Sequence, residues 1–214
     1  MTRLKRIMTK TVCPAICILL LGQACAAEGP ETLDRETRAA PLFRTTEQLL
    51  AVPPPGWKQI YQFNNIATRL TDFVPADESA GHWEARLSFE SFRGLTDADP
   101  IEVLLSEAEK EKEKCSFVQH FNLFSGYENN YPTSIRLIMC GENKAVEEGE
   151  IKLIKAIKGD DYFYVVRVLK RLPAFDVNEP DFGKEKMADW ATWFRQISLC
   201  NSARTDHPCP PTEQ

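Results

Sequence analysis

The sequence lacks the short motifs that mark common catalytic and nucleotide-binding sites. It contains no C-x-x-C pair, no H-E-x-x-H metal site, no G-x-S-x-G elbow, no P-loop and no G-x-G-x-x-G turn. Histidine is scarce, and none of His82, His120 and His207 stands at metal-ligand spacing from cysteines or carboxylates. The sequence therefore predicts no catalytic residue, no metal and no cofactor, although distant residues could still assemble a site.

An excess of basic residues is also absent. The formal net charge of the 214-residue chain is −5. The first 26 residues hold four basic and no acidic groups, so their removal leaves 22 Lys and Arg against 31 Asp and Glu, a charge of −9. Nucleic acids and anionic membranes bind basic patches. The sequence therefore predicts neither as a partner.

No apolar run is long enough to span a bilayer comfortably. Basic residues precede the apolar run Thr11–Gly22, and small residues follow it at 24–27, which is typical of a cleaved export signal. We expect a signal peptide over residues 1–26, a periplasmic location, and a flexible polar leader over 27–44. Lipidation of Cys25, which would add a membrane anchor, is the alternative. Soluble export is favoured because Gly22 stands where a lipoprotein signal prefers a branched aliphatic residue.

Four cysteines follow the signal: Cys115, Cys140, Cys200 and Cys209. An even number in an exported chain predicts two disulfides, with three connectivities open. We prefer Cys115–Cys140 and Cys200–Cys209. A hairpin with its turn near Tyr127–Glu128 would place the first pair at its open end, and the second would tether the tail, residues 201–214, to the end of a helix.

The clearest element is a hairpin over Ile151–Lys170, broken at Lys158-Gly159-Asp160-Asp161, where glycine and aspartate tolerate positive φ. Neither face of its second strand is polar, so we expect the sheet to be covered on both sides. Arg167 lies on an otherwise apolar face. It is interpreted either as a cation in a ligand pocket or, preferably, as a guanidinium paired to a carboxylate.

The remaining pattern predicts one α+β domain over residues 45–200, an antiparallel sheet of six or seven strands flanked by helices. A capping box at Thr45 predicts a helix to Val52, and Asp99-Pro100 predicts the start of a second helix. The other predicted elements are the strands Trp57–Asn64, Thr68–Val74, His82–Phe92, Cys115–Phe124 and Thr133–Cys140, and a last helix over Asp181–Ser198.

Several aromatic residues could line an apolar pocket between sheet and helix, although such residues more often form core. The candidate lining residues are Trp57, Trp83, Tyr162, Tyr164, Arg167 and Trp190, and the aromatic set also includes Phe89 and Phe194.

The order of elements resembles the PsbP-like fold, an α/β/α sandwich. Pro54-Pro55-Gly56-Trp57, Cys140, the string Lys155–Val166 and a helix ending in Cys200 are similar to a group of uncharacterised exported proteobacterial proteins. The resemblance covers residues 50 to 210 and lends no catalytic residue. It implies a binding or assembly module, since PsbP-like proteins are mostly of that kind.

We therefore predict a non-catalytic binding or assembly module of the bacterial cell envelope with a protein partner. Two alternatives remain. One is a hydrolase whose site is assembled from distant residues, and the other is a carrier of a small apolar ligand.

Overall fold

The computed structural model of the protein describes residues 45–180 and 183–211. Seven strands form an antiparallel sheet in the order β2-β3-β4-β8-β7-β6-β5, and β1 pairs with β9 in a separate two-stranded sheet. The strands are β1 (Glu47–Leu50), β2 (Trp57–Asn64), β3 (Thr68–Pro75), β4 (Ala85–Phe92), β5 (Val118–Glu128), β6 (Tyr131–Asn143), β7 (Glu148–Lys158), β8 (Phe163–Pro173) and β9 (Ser198–Asn201). The helices are α1 (Pro100–Lys114) and α2 (Lys184–Gln196), with a short 3₁₀ helix at Arg93–Leu95.

One helix covers each face of the large sheet. Leu104 of α1 packs in a buried cluster with Ile154 of β7. Phe194 of α2 packs with Leu153, which directly precedes Ile154 in β7. Successive side chains of a strand point to opposite faces, so the two helices lie on opposite sides. The predicted α+β class, the antiparallel sheet of up to seven strands and its two covered faces are confirmed, while the PsbP-like assignment stays a prediction.

The central hairpin is confirmed. Strands β7 and β8 pair over their full lengths, with Leu153 opposite Val168 and Ile154 opposite Arg167. The reason given for its glycine is wrong, because Gly159 does not have a positive φ. Glycine is required there for space, since the Glu47 carboxylate lies close to its backbone.

Helix α1 begins as predicted. The Asp99 side chain caps it by accepting hydrogen bonds from the N–H groups of Ile101 and Glu102, and Pro100 occupies the first turn. Leu104 and Ala108 are buried against the sheet. The spacing of Ile101, Leu104 and Ala108 in the sequence predicts that all three share one buried stripe, but Ile101 is 38% exposed, and the buried stripe includes Glu111 instead.

The predicted helix over residues 45–52 is wrong. Glu47–Leu50 forms strand β1, which pairs with β9, Glu47 lying opposite Asn201. The Thr45 hydroxyl does accept a hydrogen bond from the Glu47 N–H, as a helix cap would. The chain nevertheless stays extended because its partners are distant in sequence, and tertiary pairing outweighs local propensity.

The C-terminal segment differs from the prediction in a related way. Helix α2 ends at Gln196, and Ile197 is already extended. Cys200 therefore lies in strand β9 and not at a helix end. The predicted first residues of this helix, 181 and 182, lie outside the described residues.

The turn between β5 and β6 lies two residues later than predicted, at Asn129–Asn130, where φ is +46° and +63°. Asparagine tolerates this left-handed conformation better than most residues. The shift places Val118, not Cys115, opposite Cys140. Cys115 is instead the C-cap of α1.

The structure nevertheless joins the two preferred cysteine pairs. The Cα atoms of Cys115 and Cys140 are 5.6 Å apart, and those of Cys200 and Cys209 are 4.8 Å apart. The first disulfide links the end of α1 to β6. The second joins two cysteines that are nine positions apart in the sequence, and so it tethers the tail to strand β9.

The tail is packed against the β5–β6 turn. His207 is buried and stacks on Tyr131, their ring centroids being 3.9 Å apart. The Asn129 amide donates hydrogen bonds to the carbonyls of Leu199 and Pro208. The predicted signal peptide, the Cys25 alternative, the leader and the final three residues lie outside the described part of the chain. Within that part, no helix is long and apolar enough to cross a membrane.

Candidate binding groove

Helix α2 crosses one face of the large sheet and leaves a groove beside it. The spacing of Met187, Trp190, Ala191 and Phe194 in the sequence predicts one apolar stripe. In the structure Phe194 is fully buried and the other three are partly buried. Phe194 packs against Leu153 of β7. The stripe covers the middle of the sheet as far as β6, so the edge strand β5 keeps exposed apolar side chains, Phe121 and Leu123.

This space is an open groove of about 740 Å³, called here the α2–β5 groove. Strands supply one wall and α2 supplies the other. Its lining residues are Leu123, Phe124, Glu128, Ile135, Leu153, Met187, Ala188, Ala191, Phe194 and Arg195. The lining is mostly apolar, with one carboxylate and one guanidinium, which is the usual composition of a binding site.

The wall on the β5 side is an edge of the sheet. Among the described residues no strand pairs with the outer side of β5. A register shift between Asn122 and Phe124 leaves Leu123 50% exposed, and Phe121 is 47% exposed. An edge strand presents a row of N–H and C=O groups to solvent. Backbone hydrogen-bonding groups and apolar side chains therefore lie side by side along this groove.

A fully buried lysine fixes the floor of the groove. The Lys155 ammonium donates hydrogen bonds to the carbonyls of Phe194 and Ile197 and forms an ion pair with Glu128. Cations stabilise the exposed carbonyls at a helix C-terminus, so Lys155 holds α2 in position. Burial lowers the pKa of Lys155, and the Glu128 carboxylate opposes this effect.

The two charged groups of the lining differ in their pairing. Glu128 is neutralised by Lys155. Arg195 is exposed on α2, and no carboxylate of the described residues lies within ion-pair distance of it. Among the described residues, the groove thus presents one positive charge without a carboxylate partner, beside an apolar floor.

The predicted pocket residues do not line a common pocket. Trp57 and Trp190 line a smaller space of about 210 Å³ on the other side of α2. Tyr164 borders a separate pocket beside Glu47. Trp83 has the guanidinium of Arg171 over its ring at 3.8 Å.

Tyr162 and Arg167 lie apart from these residues as well. Arg69 lies 4.9 Å from the Tyr162 ring centroid. Arg167 lies on the α1 face, where its guanidinium is paired with Glu90 and lies 3.5 Å from Glu107. The preferred interpretation of Arg167, pairing to a carboxylate, agrees with this geometry. Burial raises the pKa of Glu90, and Arg167 opposes that rise.

The distinctive string Lys155–Val166 serves to fasten other segments. The buried Glu47 carboxylate accepts hydrogen bonds from the N–H groups of Asp160 and Asp161 and from the Tyr164 hydroxyl. Burial raises the pKa of Glu47, while the two backbone hydrogen bonds oppose the rise. The hairpin turn therefore binds the Glu47 carboxylate of the same chain, and its residues have a structural role.

The histidines are dispersed. His120 contacts Arg136 on the α1 face. His207 is buried where the tail packs against the β5–β6 turn, and His82 lies in the loop before β4. Ser88 donates a hydrogen bond to Asp72, but no histidine joins them. Within residues 45–180 and 183–211, no group of three or more His, Cys, Asp or Glu side chains could hold a metal ion.

Sequence reasoning missed the groove. Its strand wall depends on the register shift near Leu123, and its helix wall depends on where α2 crosses the sheet. The available signal was the adjacent apolar pair Leu123-Phe124, which interrupts the alternation of a half-buried strand.

Comparison with known proteins assigns no family. No protein-family model and no curated protein matches the chain. Solved structures similar to the chain include a mutant of the protein Mog1 and the Saccharomyces cerevisiae Ran-binding protein Mog1p. The first is 12% identical over 69% of this chain and 84% of that one. The second is 14% identical over 70% and 84%. Both TM-scores are 0.37, too low to assign a fold family or a function to this chain.

Proposed function

We propose that the protein is an exported, non-catalytic binding module of the cell envelope, which holds an extended apolar segment of a partner polypeptide in the α2–β5 groove. The observation that carries the proposal is the edge strand β5 running beside an open apolar groove. A polypeptide is the occupant that can use both features.

The backbone of β5 supplies the first kind of contact. A bound segment can add a strand to an exposed sheet edge, where main-chain hydrogen bonds provide affinity. Alternate side chains of that segment would then point to the α2 side of the sheet. There they would meet Phe124 and Leu123 on β5 and Met187 on α2.

The positive charge of Arg195 indicates which kind of segment the groove would favour. Arg195 is exposed at the groove without a carboxylate partner among the described residues, so an acidic group on the bound segment would be favoured beside it. An exposed ion pair contributes on the order of 0.5 kcal/mol, so we expect this charge to affect orientation more than affinity.

The export component of the proposal rests on residues 1–26 and stays a prediction. The two disulfides support it, because disulfides persist in oxidising compartments such as the periplasm. No partner is identified by the chemistry of the groove beyond a polypeptide with an extended apolar segment.

A carrier of a small apolar ligand is the second candidate, since about 740 Å³ lies in the range of small-molecule sites. Phe194 is the one member of the aromatic set predicted for that ligand that lies among the groove's lining residues. The hydrolase alternative gains no support, because the histidines lie apart from Ser88 and Asp72.

The test compares two tryptophan variants on one helix. Ala191→Trp would fill the groove, whereas Thr192→Trp places the same side chain at an exposed neighbouring position outside the lining. The immobilised mature protein is incubated with envelope extract of its source, and the bound polypeptides are compared. We expect a polypeptide that the wild type and Thr192→Trp retain and Ala191→Trp loses. Equal recovery by all three, or no recovery, would contradict the proposal. A small ligand would instead appear as added mass in native mass spectrometry.

A further inference from the structure

Arg136 is a buried cation on the opposite, α1 face of the sheet. It lies in β6, directly opposite Asn122 of β5 and Ile154 of β7. Only 4% of its surface is exposed. Because Arg136 lies on the other side of the sheet from the α2–β5 groove, a role for it goes beyond the proposed function and does not depend on that function.

The guanidinium of Arg136 lacks an anionic partner. Its Nη1 atom donates to Nδ1 of His120 at 2.8 Å, and its buried Nε–H has no acceptor. No carboxylate of the described residues lies within ion-pair distance. The other well-buried cations differ in this respect: Lys155 binds Glu128, and Lys152 binds Glu111.

Such an arrangement is costly for the protein alone. Buried charges are normally paired, because an unpaired charge loses its hydration without compensation. Burial lowers the pKa of Arg136, and no neighbouring anion opposes that effect. A guanidinium remains charged at physiological pH in proteins, so the cation persists and a counter-ion would stabilise it.

His120 lies near an ion pair of α1 that adds no net charge. Lys112 and Glu109 of α1 both act on the imidazole, but they are bound to each other at 2.6 Å. The pKa of His120 is lowered by burial first and then by the charges of Arg136 and Lys112, while Glu109 acts weakly in the opposite direction. Since Nδ1 of the neutral ring accepts from Arg136, Nε2 carries the proton and is a second donor.

We propose that Arg136 and His120 form a binding site for an oxyanion, a carboxylate or a phosphate, between α1 and the β5 edge. The planar fork of a guanidinium matches both kinds of anion and binds them through paired hydrogen bonds. The bound anion supplies the negative charge that the described residues around Arg136 lack.

The test uses the titration of His120 in the mature protein. Histidine ring signals are followed by NMR in sodium acetate, in sodium phosphate and in sodium chloride at equal ionic strength, and the His120 signal is assigned with His120→Gln. An anion beside the ring favours the charged imidazolium, so we expect the pKa of His120 to rise saturably, by about one pH unit. The acetate and phosphate arms show which oxyanion the site prefers, and a response to either supports the site.

Matched variants separate the site from general salt effects. Arg136→Gln should abolish the rise in the pKa of His120. Arg136→Lys keeps the charge without the planar fork and should weaken the rise. It also serves as the variant to compare if Arg136→Gln fails to fold. Arg195→Gln, which removes a cation from the other face, should leave it unchanged. A pKa of His120 that is equal in all three salts, or a change shared by His82, would overturn the proposal and leave Arg136 as a structural residue.

Discussion

The carboxylate of Glu47 lies where a side chain on Gly159 would have to stand. A Cβ atom built on Gly159 would meet Glu47 Oε2 at 2.7 Å and the Tyr162 carbonyl oxygen at 2.6 Å. Strand β1 is thereby fastened to the turn of the central hairpin, 112 residues later in the sequence. The turn needs glycine because the carboxylate approaches its backbone closely.

Gly159→Ala should destabilise the protein. The added methyl group would displace the Glu47 carboxylate from its backbone donors, so we expect the free energy of unfolding to fall by about 2 kcal/mol. Gly94→Ala is the matched control, because nothing lies within 4 Å of a Cβ at that position. Urea unfolding of both variants checks the prediction, and equal effects would show that Glu47 does not fill the space above the turn.

The pKa of Glu47 predicts a pH dependence. A carboxyl group whose pKa is raised on folding holds its proton more tightly in the folded state, so its contribution to stability is present at low pH and lost as pH rises through the folded-state pKa. We expect the free energy of unfolding of the wild type to fall relative to that of Glu47→Gln as the pH rises above the ordinary pKa of a glutamate, about 4. The pKa of Glu90 is also raised by burial, but Glu90 is present in both proteins, so its effect cancels from the difference in unfolding free energy. Urea titrations at several pH values measure it, and a constant or rising difference would contradict the assignment.

Loss of the buried lysine should be more damaging. Lys155→Met keeps the length of the side chain but leaves Glu128 and two carbonyls at the end of α2 without their donor. We expect a loss of about 3–5 kcal/mol in the free energy of unfolding.

Lys112→Met is its control, since Lys112 forms an exposed pair with Glu109, and such pairs contribute less than about 1 kcal/mol. Denaturant unfolding of the two variants gives the comparison. Similar losses would mean that Lys155 does not hold α2 against the sheet.

The second disulfide should protect the tail from proteolysis. Replacing Cys200 and Cys209 together by serine removes a link between positions nine apart in the sequence. The chain-entropy estimate for closing a loop of this size is roughly 2–3 kcal/mol. Arg204, inside this loop, is exposed on the surface. We expect trypsin to cleave after Arg204 faster in the double variant.

The Cys115 and Cys140 double serine variant is the control for that measurement. It should lose stability as well, but it should not expose Arg204 selectively, because its disulfide lies between α1 and β6. Equal cleavage after Arg204 in both variants would indicate general unfolding and not release of the tail.

Local chemistry explains which elements were predictable. The Asp99 cap of α1 and the hairpin around Gly159 depend on residues close in sequence, and both were predicted. Strands β1 and β9 are four residues each and depend on each other across some 150 residues, so no local period reveals them. The Thr45 hydroxyl of the predicted capping box does accept a hydrogen bond from the Glu47 N–H, but no helix starts there.

The binding groove was less predictable than the fold for a related reason. The sequence pattern of α2 predicts that apolar residues such as Met187 belong to the core. Whether other side chains cover them depends on where the helix crosses the sheet. The pairing of Arg167 followed from the general rule for buried charges. The unpaired state of Arg136 could not be inferred, since it depends on which carboxylates fail to reach it.

Site-specific photo-crosslinking in the intact envelope tests the central claim most directly. Leu123 on β5 and Tyr61 on β2 lie on the two edges of the sheet and are 50% and 49% exposed, so a photoreactive residue at each forms a matched pair. We expect a polypeptide adduct of defined mass at position 123 that is absent at position 61 and disappears when Ala191→Trp fills the groove. The same adducts at both positions, or none at position 123, would contradict the account.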